Sequence, residues 1–400
     1  MEGKTMKKIV ATILAVLMLA SVLSACSSGN TDTKQETGGN SQVSTVPTSD
    51  GKTFKIGSTW WDLGTHGVVG DAAETAKLAG QSIGFDVAFN SGALEISGEA
   101  AITAVEDLIA AGCDGIVVIN YSESCLVQIA KLCEENGVYF AQQYRTINSE
   151  EVAEQVLGNP YYVGRVHEDE YGTAYKLAAE MAENGATHVA LISTNHGDVT
   201  NEARAQGYRD ACEAFGIEIL TEEWNTATAD LTDYATNVIM TYPELDGFLL
   251  NDCSFVPYVA TAAENLGKTA DDIIMVATDF GDDVYDYLAN GMLCAAAGGH
   301  HCDTSFAMLL VYNALNGAYN SSDFPIDILN NMFIVTSAEE YDEFKNLVTG
   351  WDVDFENGQA FNAEEFRNLA VTFNPDAKWE DIAQAAANLT LEDVKTRHAK

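Results

Sequence analysis

Polar loops rich in aromatic and amide side chains follow the short apolar runs of this sequence. In the first half they read STWWDLGTHG, NYSES and QYRTI, and in the second half STNHGDVTNEARAQGY, NDCSF and ATDFGDD. Asn both donates and accepts hydrogen bonds, Asp accepts from two hydroxyls, and Arg donates through a planar fork. A Trp face covers the C–H side of a sugar or the flat face of a nucleobase. These residue types predict reversible binding of a neutral, hydroxylated molecule.

Motifs for catalysis are not evident in the same loops. The sequence has no G-x-S-x-G, H-E-x-x-H or Walker motif, and GVVGDAAETA lacks the complete G-x-G-x-x-G of a dinucleotide site. The run His300-His301-Cys302-Asp303 could be read as a set of metal ligands. Neighbouring histidines at a strand-to-helix turn rarely reach one ion, however, and a helix cap is the favoured role of Asp303. The sequence therefore predicts a binding protein with no enzyme activity, no cofactor and no metal.

A repeating order of elements positions these loops. FKIGS, FDVAF, GIVVIN and VYFAQ are apolar runs of strand length, and HVALIS, GIEIL, DGFLLN, DIIMVA and MLCAAA repeat the theme after about residue 160. Glycines stand where helices would end before a strand, at Gly84, Gly112, Gly137, Gly185, Gly216, Gly267 and Gly291. Such βα alternation predicts an α/β fold with two parallel sheets and with binding loops at the carboxyl ends of the strands.

The last part of the chain breaks this pattern. Asp303 to Gly317 predicts an amphipathic helix, and MFIVT predicts a strand. Residues 339–400 are acidic and carry aromatics at Trp351, Phe355, Phe361, Phe366 and Trp379. That many aromatics argue against disorder. We therefore expect an acidic C-terminal extension that packs on the body.

The N-terminal segment predicts export and attachment to a membrane. Lys7 and Lys8 precede an apolar run from Ile9 to Val22, the order found in a secretory signal. The run is shorter than the roughly 20 residues that a membrane-spanning helix needs. Leu23-Ser24-Ala25-Cys26 resembles a bacterial lipobox, which implies cleavage before Cys26 and a lipid on its sulfur; the alternative is an ordinary leader cut elsewhere. Residues 26–52 lack apolar periodicity and predict a flexible tether.

Composition limits the partners. Asp and Glu number 60 against 20 Lys and Arg, a formal net charge of −40 at pH 7. Such a field repels phosphate backbones, so we expect no nucleic-acid partner. Seven cysteines remain beside Cys26, without a C-x-x-C spacing. They lie mostly in apolar patterns and are predicted to be small core residues, although one disulfide among them stays open.

Four motifs in order resemble the type I periplasmic-binding-protein superfamily, which includes ribose- and galactose-binding proteins. EDLIAAGCDGIVVIN is similar to a helix, glycine, strand and Asn of that family, and ARAQGYRDACEAFGIEI to its Arg-x-x-Gly-aromatic helix start. DGFLLND resembles its strand ending in Asn-Asp, and VATDFGDD its strand ending in Asp-x-Gly. The resemblance implies two Rossmann-like lobes joined by a three-strand hinge that close on a ligand. It implies polar ligand contacts from Asn120, Arg145, Arg204, Asn251 and Asp279.

Other positions depart from the family pattern and leave the identity of the ligand open. The remaining candidate ligand contacts are Trp60, Trp61, Asp62, His66, Tyr144 and His300. Tyr144 stands before Arg145, where the family often has Asp, and His300 is the candidate for the usual Gln near the second crossing. Adjacent residues at a strand end point in opposite directions, so at most one of Trp60 and Trp61 is expected to stack on ligand while the other packs.

These observations predict five segments and one function. The segments are a signal peptide (1–25), a tether (26–52), a first lobe (53–160 plus 299–322), a second lobe (161–298 plus 323–338) and the extension (339–400). We expect a monomeric lipoprotein on the outer face of the cytoplasmic membrane that binds a neutral sugar and delivers it to an ABC permease. The alternative is a receptor of the same fold that binds a nucleoside or a signal molecule. Such a receptor could serve a sensor kinase.

Overall fold

The structure is a computed structural model of the chain. It describes residues 53–60, 68–90, 97–194, 196–224, 228–281, 283–298, 300, 302–320, 322–349 and 360–398. The expected signal peptide, the tether and Cys26 lie outside the described residues. So do three of the candidate ligand contacts, Trp61, Asp62 and His66.

Twelve strands in the described segments form two six-stranded sheets. The strands are β1 (Lys55–Ser58), β2 (Asp86–Phe89), β3 (Gly115–Val118), β4 (Tyr139–Gln143), β5 (Tyr162–Glu168), β6 (His188–Ser193), β7 (Glu218–Trp224), β8 (Gly247–Leu250), β9 (Ile274–Thr278), β10 (Leu293–Gly298), β11 (Ile326–Asn330) and β12 (Phe333–Val335). The first sheet has the order β11-β5-β4-β3-β1-β2 and the second β12-β10-β9-β8-β6-β7. Every pair is parallel except β10 with β12. The predicted α/β fold with two parallel sheets is confirmed.

Helices connect the strands. They are α1 (Val68–Ile83), α2 (Gly98–Ala110), α3 (Glu123–Asn136), α4 (Glu150–Val156), α5 (Glu170–Glu183), α6 (Val199–Phe215), α7 (Leu231–Thr241), α8 (Val256–Asn265), α9 (Val284–Ala289), α10 (Asp303–Leu315), α11 (Ala338–Phe344), α12 (Ala363–Leu369), α13 (Trp379–Ala387) and α14 (Leu391–His398). The seven glycines predicted to end helices all have positive φ, between 67° and 98°. Among the described helices, none has the length and apolar character that crossing a bilayer requires.

The chain crosses between the sheets three times. It leaves the first sheet after Glu168 at the end of β5, returns between Gly298 and Asp303, and leaves again after Asn330 at the end of β11. The expected lobe boundaries at 160/161 and 322/323 therefore differ from those that strand pairing gives. The reason is that β5 and β11 pair with each other at the edge of the first sheet, with Glu168 opposite Asn330.

The β5–β11 pair depends on a close backbone approach. Gly164 has φ 145°, and a Cβ atom there would lie 1.9 Å from the carbonyl oxygen of Ile326. An L side chain rarely adopts this conformation, and none would fit in the space. Gly164 thus allows two of the three crossing strands to lie side by side.

Helix α10 lies at the centre of the first lobe. Its described residues from Asp303 to Ala314 are all buried, so the amphipathic helix predicted there is wrong. One side packs on β1, β3, β4, β5 and α1. The other side is covered by the C-terminal extension, because Phe306 contacts Phe361 and Phe366 at ring-centroid distances of 5.1 and 6.1 Å. A helix that is apolar all round has to be enclosed in this way.

The C-terminal extension contacts both lobes. In α11, Phe344 packs on Phe280 and Phe333 of the second lobe, with ring centroids 4.7 and 5.1 Å apart. The described residues 360–398 pack on the first lobe, where Asn313 of α10 donates to the carbonyl oxygen of Leu369 at 3.0 Å. Buried apolar side chains hold these contacts together, as expected from the aromatic content of the segment.

The cysteines contribute to packing. All seven in the described residues are free thiols, and five of them are buried: Cys113, Cys125, Cys133, Cys212 and Cys302. Burial raises the pKa of Cys133 and of Cys212 to about 12. These thiols are protonated at neutral pH, so they behave as small core residues, as predicted.

Candidate functional site

The carboxyl ends of the strands position the predicted ligand contacts. Trp60, Asn120 and Tyr144 follow β1, β3 and β4 in the first lobe, and Asn251 and Asp279 follow β8 and β9 in the second. In open α/β sheets the strand order places ligand sites at these ends. The two lobes therefore present their candidate residues from corresponding edges of two sheets.

Arg204, in α6, lies at the centre of a buried ion-pair network. Its Nε donates to Glu170 Oε2 at 2.5 Å, and its Nη1 donates to the carbonyl oxygen of Asn251 at 2.9 Å and to Asp279 Oδ2 at 3.4 Å. Arg204 is 6% exposed. Burial alone would lower its pKa, but the carboxylates of Glu170 and Asp279 raise it well above the usual value. The guanidinium is thus a fixed cation in the second lobe.

His300 extends this network to the crossings. Its Nε2 lies 2.8 Å from Asp279 Oδ1, and its Nδ1 contacts Glu168. Burial alone would lower the pKa of His300, but the Glu168 and Asp279 carboxylates outweigh it and raise the pKa well above 6.5. Burial would raise the pKa of Asp279, and Arg204 and His300 together hold it below the ordinary value. His300 is therefore a cation between two carboxylates.

Three of the predicted contacts are thus joined in one series of ion pairs. In order, its members are Glu170, Arg204, Asp279, His300 and Glu168. The two glutamates were not predicted. Glu168 is the last residue of β5 and Glu170 the first residue of α5. Both stand in the run HEDE, which is typical of a solvated acidic loop unless β5 is recognised as a strand that ends at the hinge.

Tyr144 links this network to the first lobe. Its hydroxyl lies 3.0 Å from the carbonyl oxygen of His300 and 3.1 Å from Thr304 Oγ1. Tyr144 and Asp279 have φ of 62° and 73°, a left-handed backbone that non-glycine residues seldom adopt. Such strain is concentrated at functional sites, and here it falls on both lobes at the ends of β4 and β9.

Trp60 is placed behind Tyr144. It is fully buried, with its ring 6.0 Å from Tyr144 and 6.0 Å from Phe89. Its backbone N–H and carbonyl oxygen are both hydrogen bonded to the side chain of Asn90. Trp60 therefore packs, which is the role expected for one of the two adjacent tryptophans.

Arg145 lies where the two lobes meet. Its Nη1 donates to the carbonyl oxygen of Tyr144 at 3.0 Å and lies 3.4 Å from Thr200 Oγ1 in α6 of the second lobe. Its Nε is buried and has no acceptor among the described residues. A buried donor of this kind is costly unless it receives a partner.

A cavity of about 830 Å³ opens beside Arg145. Its first-lobe wall is formed by Asn120, Tyr121, Ser122, Glu123, Ser124, Val127, Arg145, Thr146, Asn148, Ser149, Glu151, Val152 and Gln155, and its second-lobe wall by Gly197, Asp198 and Val199. The cavity therefore brings Asn120 and Arg145 together. Arg204, Asn251, Asp279 and His300 are not in its lining.

Asn120 and Asn251 are both held by neighbours. Asn120 Oδ1 accepts from Gln142 Nε2 at 2.7 Å. Asn251 Nδ2 donates to Ser193 Oγ at 2.5 Å and to the carbonyl oxygen of Asn201 at 3.1 Å. Its Oδ1 is buried and has no donor within the described segments. Each amide is thus held in one orientation by its neighbours.

Comparison with known proteins agrees with this architecture. Residues 55–316 match the family described as periplasmic binding protein domain. The chain is similar to an ABC transporter periplasmic solute binding protein from Actinobacillus succinogenes with bound D-allose, at 18% identity and TM-score 0.61, covering 72% of this chain and 99% of that chain. It is also similar to a periplasmic sugar-binding protein from Pseudomonas fluorescens, at 14% identity and TM-score 0.67, covering 85% and 99%. A third similar structure is the binding protein of an arabinose ABC transporter from a Shewanella species, bound to α- and β-L-arabinofuranose, at 17% identity and TM-score 0.61, covering 72% and 95%.

Proposed function

The chain belongs to the periplasmic binding protein domain family, and we propose that it binds a neutral sugar or similar polyol between its lobes and delivers it to an ABC importer. The observation that carries this proposal is the cavity of about 830 Å³ walled by both lobes. This volume falls in the range of about 300–1,000 Å³ typical of small-molecule sites. Binding, with no catalytic step, accounts for all the residues placed there.

The lining of the cavity favours an uncharged, hydroxylated ligand. Its polar groups are mostly hydroxyls and amides, and its cation is Arg145. The Glu123 carboxylate already accepts from the backbone N–H groups of Asn148 and Ser149, at 2.9 and 2.7 Å. Glu151 and Asp198 add further negative charge. An anionic ligand would be repelled by these acids, whereas sugar hydroxyls can both donate to and accept from such a surface.

Closure of the lobes is the proposed signal to the permease. Arg145 and Thr200 are in contact across the lobes, and the cavity beside Arg145 has walls from both lobes. A ligand in this cavity makes all its contacts only when the cleft is shut. Ligands shift a conformational equilibrium by their differential affinity for its two states. A preference of about 10⁴-fold for the closed state would move the closed fraction from about 1% to 99%.

Named ligands of the similar structures support a sugar. Two of these structures hold bound D-allose and bound L-arabinofuranose. The identities of 18% and 17% leave the sugar recognised by this chain to experiment. A panel of pentoses, hexoses, inositols and nucleosides in a thermal-shift assay, followed by calorimetry, tests the proposal. A sugar that raises Tm and binds at one site supports it, whereas a response to nucleosides alone would favour the alternative ligand class.

The proposal includes a lipid anchor on Cys26 and a monomeric state. The support for the anchor is the sequence Leu23-Ser24-Ala25-Cys26 after an apolar leader and before a polar tether. A single acyl chain binds membranes only weakly, so a diacylglyceryl group with two chains suits permanent attachment. Mass spectrometry of the N-terminal peptide should find a lipid on Cys26, and Cys26→Ser should release the protein from membranes. Sedimentation of the released protein gives its oligomeric state.

A further inference from the structure

Four polar side chains converge where the chain crosses between the lobes. Glu168 ends β5, Asn330 ends β11, His300 lies between β10 and α10, and Asp303 is the first residue of α10. Glu168 and Asn330 are also register partners in the first sheet. Every crossing therefore contributes at least one member to the cluster, which we call the hinge cluster.

The donor atoms of the hinge cluster face one another. Glu168, His300 and Asp303 each offer one ligand atom, and these three atoms lie within 4.8 Å of one another. The amide Nδ2 of Asn330 donates to Asp303 Oδ2 at 2.8 Å, which fixes its head group against the same carboxylate. Glu168, Asp303 and Asn330 are 3%, 0% and 0% exposed.

Three oxygen atoms of the cluster are buried without a donor. They are Glu168 Oε2, Asp303 Oδ1 and Asn330 Oδ1, none of which receives a hydrogen bond from the described residues. Two buried carboxylates so close together repel each other unless a positive species lies between them. The His300 cation offsets one of the two negative charges, and a shared proton or a metal ion would offset the other. The Asn330 oxygen is a third buried acceptor without a donor among the described residues, and a cation in the cluster would give it a partner as well.

We propose that Glu168, His300 and Asp303, with the amide oxygen of Asn330 as a further ligand, bind one divalent transition-metal ion such as Zn²⁺ or Mn²⁺. Imidazole together with carboxylates is a donor set that suits these ions, and Ca²⁺ and Mg²⁺ prefer oxygen alone. His300 would bind through Nδ1, the nitrogen that faces Glu168.

The surroundings of His300 match those of a metal-bound histidine. Its other nitrogen, Nε2, lies 2.8 Å from Asp279 Oδ1. Metal-ligating histidines commonly donate their second N–H to a carboxylate, which orients the ring. In the metal-bound form His300 is neutral and Asp303 is ionised. The metal ion then supplies the positive charge that protons on these side chains supply in the metal-free form. The Arg204–Glu170 pair lies on the far side of Asp279 and is not part of the site.

The consequence concerns the hinge and adds to the proposed function. Because the ligands come from all three crossings, a bound ion would restrain their relative rotation. Sugar binding at the cavity would then respond to the metal although the cavity lining contains none of the four ligands.

The test uses the purified protein after treatment with a chelator. Zn²⁺ or Mn²⁺ alone, in the absence of sugar, is titrated by calorimetry, and Tm is recorded with and without the ion. We expect one equivalent of metal to bind and Tm to rise. Asp303→Asn and His300→Gln should each weaken metal binding about tenfold or more. The control Asp272→Asn, an exposed carboxylate paired with Lys268, should leave metal binding unchanged.

The competing explanation, a shared proton, gives a different result. In that case neither ion binds at millimolar concentrations, the chelator leaves Tm unchanged, and Asp303→Asn raises Tm because it removes one of two facing acids. Equal metal binding by wild type, Asp303→Asn and His300→Gln would also overturn the proposal. Circular dichroism shows whether each variant is folded. If Asp303→Asn is unfolded, metal binding by His300→Gln decides between the two explanations.

Discussion

Arg145 Nη1 lies 3.4 Å from Thr200 Oγ1, which connects the end of β4 in the first lobe to the start of α6 in the second. This contact lies beside the cavity, and the same guanidinium has a buried Nε without an acceptor in the described part of the chain. Arg145 thus lies both in the wall of the cavity and in a contact between the two lobes.

Replacing Arg145 by Ala should weaken sugar binding by about 10- to 100-fold. Hydrogen bonds to charged groups contribute about 1.5–3 kcal/mol each, and about 1.4 kcal/mol corresponds to a factor of ten. Calorimetry with the sugar identified by the thermal-shift panel measures the change. The matched control is Arg165→Ala, since Arg165 pairs with Asp327 on β11, outside the cavity lining. Equal affinities of the two variants would remove Arg145 from the site.

Replacing Arg204 by Met should destabilise the ligand-free protein by about 3–5 kcal/mol. The change leaves Glu170 and Asp279 buried without their cation, and breaking a buried pair carries a cost of that size. Arg209→Met on the same helix is the control, because Arg209 pairs with Glu222 at the partly exposed surface. Such pairs contribute about 0–1 kcal/mol. Urea unfolding curves give both values, and equal losses would contradict a structural role for the network.

Replacing Gly164 by Ala should destabilise the hinge side of the first lobe. The new Cβ would lie 1.9 Å from the Ile326 carbonyl oxygen, and the residue has φ 145°. Ala in place of Gly is unfavourable where φ is positive. Gly158→Ala is the control, because a Cβ there has no atom within 4 Å. Thermal unfolding should show a clear drop in Tm for Gly164→Ala and little change for Gly158→Ala; a similar Tm for both would show that β5 and β11 tolerate separation.

Replacing Glu365 by Gln should lower Tm at pH 7, and the difference should shrink in acid. Burial would raise the pKa of Glu365, but hydrogen bonds from His398, the Asn362 backbone and Arg397 outweigh it and lower the pKa. A carboxyl group with a lowered folded pKa stabilises the fold above its unfolded pKa of about 4.3. That stabilisation is lost as the pH falls through the folded pKa. Melting curves of both proteins from pH 7 downward measure it, with the exposed neighbour substitution Glu364→Gln as control. A pH-independent difference would contradict the mechanism.

Strand periodicity and helix-ending glycines predicted most of the fold. The apolar runs correspond to β1–β4 and β6–β10, and the loops after β3, β4, β8 and β9 carry the predicted residues. The two strands of the first sheet that the sequence did not predict are β5 and β11. In β11, exposed Asp327 and Leu329 alternate with buried neighbours, as expected for a sheet edge. A short edge strand of this kind carries a weak sequence signal. With β5 and β11 not predicted, the expected lobe boundaries at 160/161 and 322/323 fall before these two strands instead of after them.

Glu168 and Asn330 of the hinge cluster could not be predicted for the same reason. Glu168 lies next to Asn330 only because β5 pairs with β11, and the two residues are far apart in sequence. Asp303, expected to cap a helix, is instead the first residue of α10, and its Oδ2 accepts from Asn330. Single acids beside polar loops look like surface residues until tertiary contacts bury them.

The covering of α10 makes its apolar outer face and the C-terminal extension interdependent. Two of the similar structures are matched over 95% or more of their own length but over only 72% of this chain. Removing residues 360–398 from the two-lobe body would expose Phe306 and Tyr312 of α10 to solvent. The truncated protein would then be prone to self-association. Adding the extension to a related protein would also require apolar residues on the outer face of the helix that corresponds to α10. The extension and this helix therefore have to be engineered together.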